Sequence, residues 1–323
     1  MTQEQFEQAH EATWRAFELW LAGRQKRTMA SDAQLTTQTI PAIYREVCAH
    51  LALARDRQYT SALLDRLNQL ALEGHEVLYG ARTGIAAKIA RFFHRGFPQL
   101  VRQHGGVVLA SAALYFIPLI ICIVWAQFDP KAIYHVMPAD EVADFQKMYS
   151  SSMATQGRDA ADDVMMWGHY IGNNIKIDFQ CFAGGLLFGV GTVFYLIFNG
   201  IMHGMVAGYL TQIGSGQQFW GFVSGHSSFE LLGAVLAGAA GLRIGLALIA
   251  PGRLSRATAL KFAAKPAVGL CGGAATMTFV AAFIEGFWSP NPWAPFEFKV
   301  GLGIGLWVLL LVYFLFAGRR HAA

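Results

Sequence analysis

Charge is what this chain has least of. Only 14% of its 323 residues are charged, against 54% hydrophobic, whereas a soluble domain carries about 25% charged residues. The shortage is uneven: residues 1–105 have a soluble composition and residues 106–318 do not. The net charge of +4 is small. No basic stripe with interleaved aromatics is present, which argues against a nucleic-acid surface. The cysteines Cys48, Cys122, Cys181 and Cys271 are isolated, without a CxxC pair or disulfide spacing, so they read as small hydrophobes. The start of the chain contains Glu4, Glu7, Glu11 and Glu18 and no apolar core, which is unlike a cleaved signal peptide. Catalytic signatures are missing too: there is no GxSxG, HExxH or Walker loop. Ser227 beside His226 is not a working pair by adjacency, because catalysis needs an orienting third group and an oxyanion site. The chain is therefore expected to be non-enzymatic and to need no cofactor.

What is present is a series of apolar runs. A membrane-spanning helix needs about 20 such residues. Six runs approach that length: 106–127, 175–198, a short 201–213, 229–250, 262–285 and 300–317. Asn199-Gly200 separates the second from the third and reads as the corner of a tight helical hairpin. Basic residues set orientation. Arg253, Arg256, Lys261 and Lys265 fall in loop 251–265, and Arg319 and Arg320 in the tail. Loop 128–174 holds Asp129, Asp140, Glu141, Asp144, Asp159, Asp162 and Asp163 against Lys131, Lys147 and Arg158. Six crossings with both termini in the cytoplasm put every basic cluster inside a bacterial inner membrane and the acidic loop outside.

The expected fold class is all-α: a polytopic membrane helix bundle of about six spans (106–318, with the external loop 128–174). A small cytoplasmic helical domain (1–84) and a basic interfacial amphipathic helix (85–105) precede it. In the domain, Phe6, Trp14, Phe17 and Leu21 recur at helical spacing over 3–22. A polar loop with Gly23 and Ser31-Asp32 follows. A second helix starts near Pro41, where proline suits the first turn, and a third runs over 61–79. In the interfacial segment Lys88, Arg91, Arg95 and Arg102 alternate with Ile89, Phe92, Phe93, Phe97, Leu100 and Val101, the composition of a helix on an anionic leaflet. Gly185-x-x-x-Gly189, Gly200-x-x-x-Gly204-x-x-x-Gly208 and Gly241-x-x-x-Gly245 allow close helix approach, within the bundle or in a homodimer.

Polar groups in apolar surroundings cost free energy unless partnered. Asn173, Asn174, His226, Glu230 and Glu285 fall at one depth under the six-span topology and form a candidate functional cluster. His226, Glu230 and Glu285 are chemically sensible metal ligands. The duller alternative is capping: Ser227-Ser228-Phe229-Glu230 matches a capping box, Asn173 and Asn174 suit caps, and Glu285 suits an interfacial acid. Asn199 and Gly200 form the hairpin corner, while His203 and Gly204 serve packing.

The segments NNIKIDF, LIFNG followed by HG, GHSSFELLGAVLAGAAGLRIG and FIEGFWSP resemble the stage II sporulation protein M family of integral membrane proteins. YREVCAHLALAR, LNQL, VLYG and FPQLVR resemble the form found in bacteria that do not sporulate. The resemblance covers nearly the whole chain. Its departure is His226-Ser227, where the family has His-Gly. The resemblance implies a membrane scaffold: in spore formers the similar protein partners cell-wall hydrolases during engulfment, and elsewhere similar proteins are often encoded near a MoxR-type ATPase. The expected function is thus a scaffold for protein partners, embedded in the lipid bilayer. The alternatives are a transport or channel component with a polar path through the bundle, and a metal-dependent intramembrane hydrolase.

Overall fold

The computed structural model describes residues 1–25, 39–79, 84–150 and 160–319, and the chain divides into two compact units, Met1–Lys88 and Ile89–Ala323. The expected loop at Ser31-Asp32, the charges Arg158 and Asp159, and the terminal Arg320 lie outside the described residues.

The first unit is three helices: α1 (Gln3–Gln25), α2 (Ile40–Asp56) and α3 (Ser61–Tyr79). α1 continues through Gly23, beyond its expected end. Helical spacing delivers Phe6, Trp14, Phe17 and Leu21 to one face, where each is at most 2% exposed. Val47, Leu51 and Ala54 of α2 and Leu63, Leu67 and Leu70 of α3 complete this core. Each such buried side chain contributes about 1.5–3 kcal/mol. Arg66 clamps α3 to α1: its guanidinium donates to both Glu11 oxygens at 2.7 and 2.9 Å and to Glu18 at 2.9 Å. It also lies 5.6 Å from the centre of the Trp14 ring.

The segment expected to be one interfacial helix is three pieces: α4 (Ile85–Arg91), a π turn at Phe92–Gly96 and α5 (Phe97–Gln103). Lys88, Arg91 and Arg95 are exposed. Phe97, Pro98 and Val101 are buried instead, which corrects the expectation for this half of the segment. Arg102 explains the difference. It donates to the carbonyls of Phe314 at 2.6 Å and Ala317 at 2.7 Å, satisfying carbonyls that the last turn of a helix leaves open.

Six long helices make the rest of the second unit: α6 (Gly105–Phe128), α8 (Ala160–Ala183), α9 (Val190–Leu210), α10 (Gly216–Ile249), α11 (Arg256–Phe287) and α12 (Phe296–Phe316). A 3-10 turn at Pro130–His135 and the short α7 (Ala139–Met148) lie between α6 and α8. Among the described residues, four helical stretches are long and apolar enough to cross a membrane: Gly105–Phe128, Val190–Ile249, Arg256–Phe287 and Phe296–Phe316. The second of these spans α9 and α10, and the chain breaks helical geometry between them at Gly214, whose φ is 90°. α8, with Asp162, Asp163, Lys176 and Asp178, is not among the four.

Glycines set how these helices meet. Gly200, Gly204 and Gly208 of α9 rest on the Tyr115, Leu119 and Ile123 backbone of α6, so the two run parallel. Gly225 meets Ile284 and Gly233 meets Thr278, so α10 and α11 run antiparallel. Gly185, just after α8, faces the Gly241 backbone, and Gly189 faces Gly245. A side chain at these contacts would separate the backbones, and dispersion between close backbones is what holds helices together in lipid.

Asn199-Gly200 is not a corner. Both residues are buried in the interior of α9. The reversal falls earlier, in a 3-10 turn at Gly184–Leu186 and at Phe188 and Gly189, whose φ values are 54° and 80°. Left-handed backbone is what glycine tolerates. It ends the helix where the sequence reading had continued an apolar run. Apolarity alone does not distinguish a buried turn from a helix.

Candidate functional site

One end of the second unit brings together the close of α6, α7, the α9–α10 reversal and the α11–α12 connection. Gln127 donates to the Gly208 carbonyl at 2.9 Å, and Gln146 donates to the Tyr209 hydroxyl at 2.5 Å. A cavity of about 320 Å³ opens here, lined by Tyr149, Gln217, Gln218, Phe222, Ser289 and Lys299 among others.

Directly behind Ser289 sits His226, which is 2% exposed. Its Nδ1 lies 3.0 Å from the Ser289 hydroxyl, and its Nε2 lies 3.7 Å from a Glu230 oxygen. Both residues are on α10, one turn apart. Glu285 comes from the antiparallel α11, and one donor atom from each of His226, Glu230 and Glu285 lies within 4.8 Å of the others. α8 supplies Asn174, whose amide donates to Glu285 at 3.4 Å. Asn173 is exposed, and its amide donates to the Asn174 side chain at 3.1 Å.

The capping alternative does not hold. α10 begins at Gly216, so Ser227 and Glu230 lie well inside it, and their first-turn roles do not exist. Ser227 instead donates to the Ser224 carbonyl at 3.4 Å and accepts from the Trp307 indole at 3.3 Å. Asn173 and Asn174 likewise lie far inside α8, which starts at Ala160. A helix that begins in polar residues extends past its apolar run, and the capping motif was read at the edge of the run.

Asn199, Gly200, His203 and Gly204 belong to a different contact. The Asn199 amide donates to the Tyr195 carbonyl at 2.7 Å. His203 Nδ1 lies 2.8 Å from the Asn199 carbonyl and 2.9 Å from the hydroxyl of the fully buried Tyr115. Gly204 packs on Leu119. These residues join α9 to α6.

Sequence reasoning missed Asp178 and Ser289. Asp178 is 3% exposed and accepts a 2.5 Å hydrogen bond from Thr278 of α11. The signal for it was present: Asn174 and Asp178 are four apart, so on a helix they share a face. Ser289 had no such signal, because its role depends on the connection after α11 folding back over α10.

Helices packed through glycine, with apolar stretches of membrane length and polar side chains turned inward, define a polytopic helical membrane protein. The family model described as stage II sporulation protein M matches residues 108–290. The chain belongs to that family. A separate model, a domain of unknown function (DUF8413), matches residues 4–80, so the amino-terminal unit carries its own family signature. No curated protein and no solved structure matches the chain.

Proposed function

We propose that this protein is a non-enzymatic scaffold of the bacterial inner membrane that holds partner proteins beside its helix bundle. The observation that carries this reading is the outer face of α8. Met165, His169, Asn173, Lys176 and Phe179 are exposed at helical spacing, on the side away from the glycine seam. Lys176 is two residues from Asp178, which is bonded to Thr278 in the interior of α11, so it lies well along the bundle. A lysine facing lipid at such a depth costs roughly 2.5–3.5 kcal/mol. A partner helix carrying a carboxylate or free carbonyls offsets that cost. The separate amino-terminal unit supplies a second docking surface.

The proposed topology is six crossings by α6, α8, α9, α10, α11 and α12, with both termini in the cytoplasm. It is supported by charge: Arg253, Arg256 and Lys261 lie between α10 and α11 or at the start of α11, whereas Asp140, Glu141 and Asp144 lie at the opposite end with α7.

Site-specific photocrosslinking in native membranes tests the scaffold. A photoreactive residue in place of Lys176 is expected to give protein adducts. The same residue in place of Leu309, an exposed residue of α12, is expected to give only lipid adducts. Lipid adducts alone at both positions would refute the scaffold.

A further inference from the structure

We infer that His226, Glu230 and Glu285 hold a divalent first-row metal ion, of which zinc is the best match. The inference does not depend on the scaffold reading.

Four observations converge. The first is the donor set. Imidazole nitrogen and carboxylate oxygen are both zinc donors, and three protein ligands leave a fourth position for water or another molecule. The second is spacing. Ligand atoms about 2 Å from a tetrahedral ion stand roughly 3.3 Å apart. Nε2 of His226 and Oε2 of Glu230 are 3.7 Å apart, and all three donors lie within 4.8 Å, so small side-chain rotations close the set. The third is the support behind the ligands. A metal-bound histidine directs its second nitrogen to a hydrogen-bond partner, which orients the ring. Here Nδ1 meets Ser289 at 3.0 Å, and Nε2 is the atom turned to Glu230. Asn174 holds Glu285 from a third helix. The fourth is access. Ser289 and Phe222 line the cavity of about 320 Å³. Phe222 stands edge-on to the His226 ring, with centres 5.6 Å apart. The cavity thus approaches the ligands from the end of the bundle, with Ser289 and Phe222 standing between it and His226.

Charge explains why an ion belongs here. Two carboxylates inside a helix bundle repel each other and are costly to bury as anions. One divalent cation balances both, and neutral His226 adds a ligand without adding charge. The cation would tie α10 to α11, with α8 bracing the site through Asn174.

Elemental analysis of the full-length protein tests the site. The protein is purified in detergent with any affinity tag removed, equilibrated with zinc and dialysed into metal-free buffer. About one equivalent of zinc is expected to remain. His226→Gln, Glu230→Gln and Glu285→Gln are each expected to lower retention at least tenfold while the protein stays monodisperse. Wild-type protein that retains no zinc, manganese or iron overturns the inference, as do monodisperse variants that retain the full amount. If the variants do not fold, X-ray absorption on zinc-loaded wild type decides. The expected shell is nitrogen and oxygen at about 2.0–2.1 Å with one imidazole. A shell containing sulfur would place the metal at a cysteine and overturn the assignment.

Discussion

Gly185 faces the carbonyl of Gly241 with no side chain between them. The contact joins the end of α8 to the middle of α10, and its neighbours repeat it: Thr192 donates to the Cys181 carbonyl at 2.7 Å, and Gly189 rests on Gly245. Gly241→Val forces these backbones apart. Overpacking of this kind costs about 1–3 kcal/mol. Thermal unfolding in detergent is expected to shift down accordingly. The same substitution at Gly272 of α11, which has nothing nearby, is expected to have little effect.

Thr278 donates a hydrogen bond to buried Asp178. Thr278→Val keeps the shape and removes the hydroxyl. Leaving a buried polar group unsatisfied costs about 1–3 kcal/mol, more when it is charged. Thr278→Ser keeps the donor and is expected to retain most of the stability. Equal losses in the two variants would show that the methyl group, not the hydroxyl, matters.

Acid is expected to loosen the amino-terminal unit in two stages. His50 accepts a hydrogen bond from the Trp14 indole at 3.1 Å and lies against the His10 ring. Burial first, and then the neighbouring His10, hold its pKa below the ordinary 6.5. The folded unit therefore binds fewer protons at His50 than the unfolded chain does. Its contribution to stability is complete above pH 6.5 and declines as pH falls below that value. The second stage involves Glu11, which Arg66 holds below the ordinary 4.5 mainly by hydrogen bonding. That contribution is present above pH 4.5 and is lost as pH falls through the lowered value. Glu11 is 45% exposed, so screening limits it to about 1 kcal/mol or less. Protection factors of α1 and α2 amides in the full-length protein, with exchange corrected for its intrinsic pH dependence, are expected to fall between pH 7 and pH 5. Unchanged protection factors would remove His50 from the account.

Labelling checks the proposed topology. In a background lacking Cys48, Cys122, Cys181 and Cys271, an impermeant maleimide applied to intact spheroplasts is expected to label Asp144→Cys and not Arg253→Cys. Both positions are exposed. Labelling of both, or the reverse pattern, would reject the orientation.

The three amino-terminal helices were legible because burial on one face writes a 3.6-residue period into the sequence: Phe6, Trp14, Phe17 and Leu21 became core as their spacing implied. The close approach of glycines was legible for a related reason, since in lipid only small residues admit a neighbouring backbone. The grouping of His226, Glu230 and Glu285 followed from counting depth along successive runs. The ends of α8 and α9 and the start of α10 were not legible. A turn buried against other helices is as apolar as a span, so Gly184–Gly189 gave no contrast and Asn199-Gly200 was mistaken for the corner. α10 and α8 begin in polar residues, so the ends of their apolar runs misplaced their first turns by about four helical turns. Arg102 was read as one of the basic residues of an interfacial helix because its acceptors, Phe314 and Ala317, come from the far end of the chain.

α8 has an implication for how the protein is made. It is the least apolar of the six long helices to judge from its Asp162, Asp163, Lys176 and Asp178, and the backbones it leans on belong to α10 and α11, which the ribosome produces later. Under the proposed six-crossing topology, lodging it in the bilayer waits on segments not yet synthesised, and its insertion follows theirs instead of keeping to sequence order.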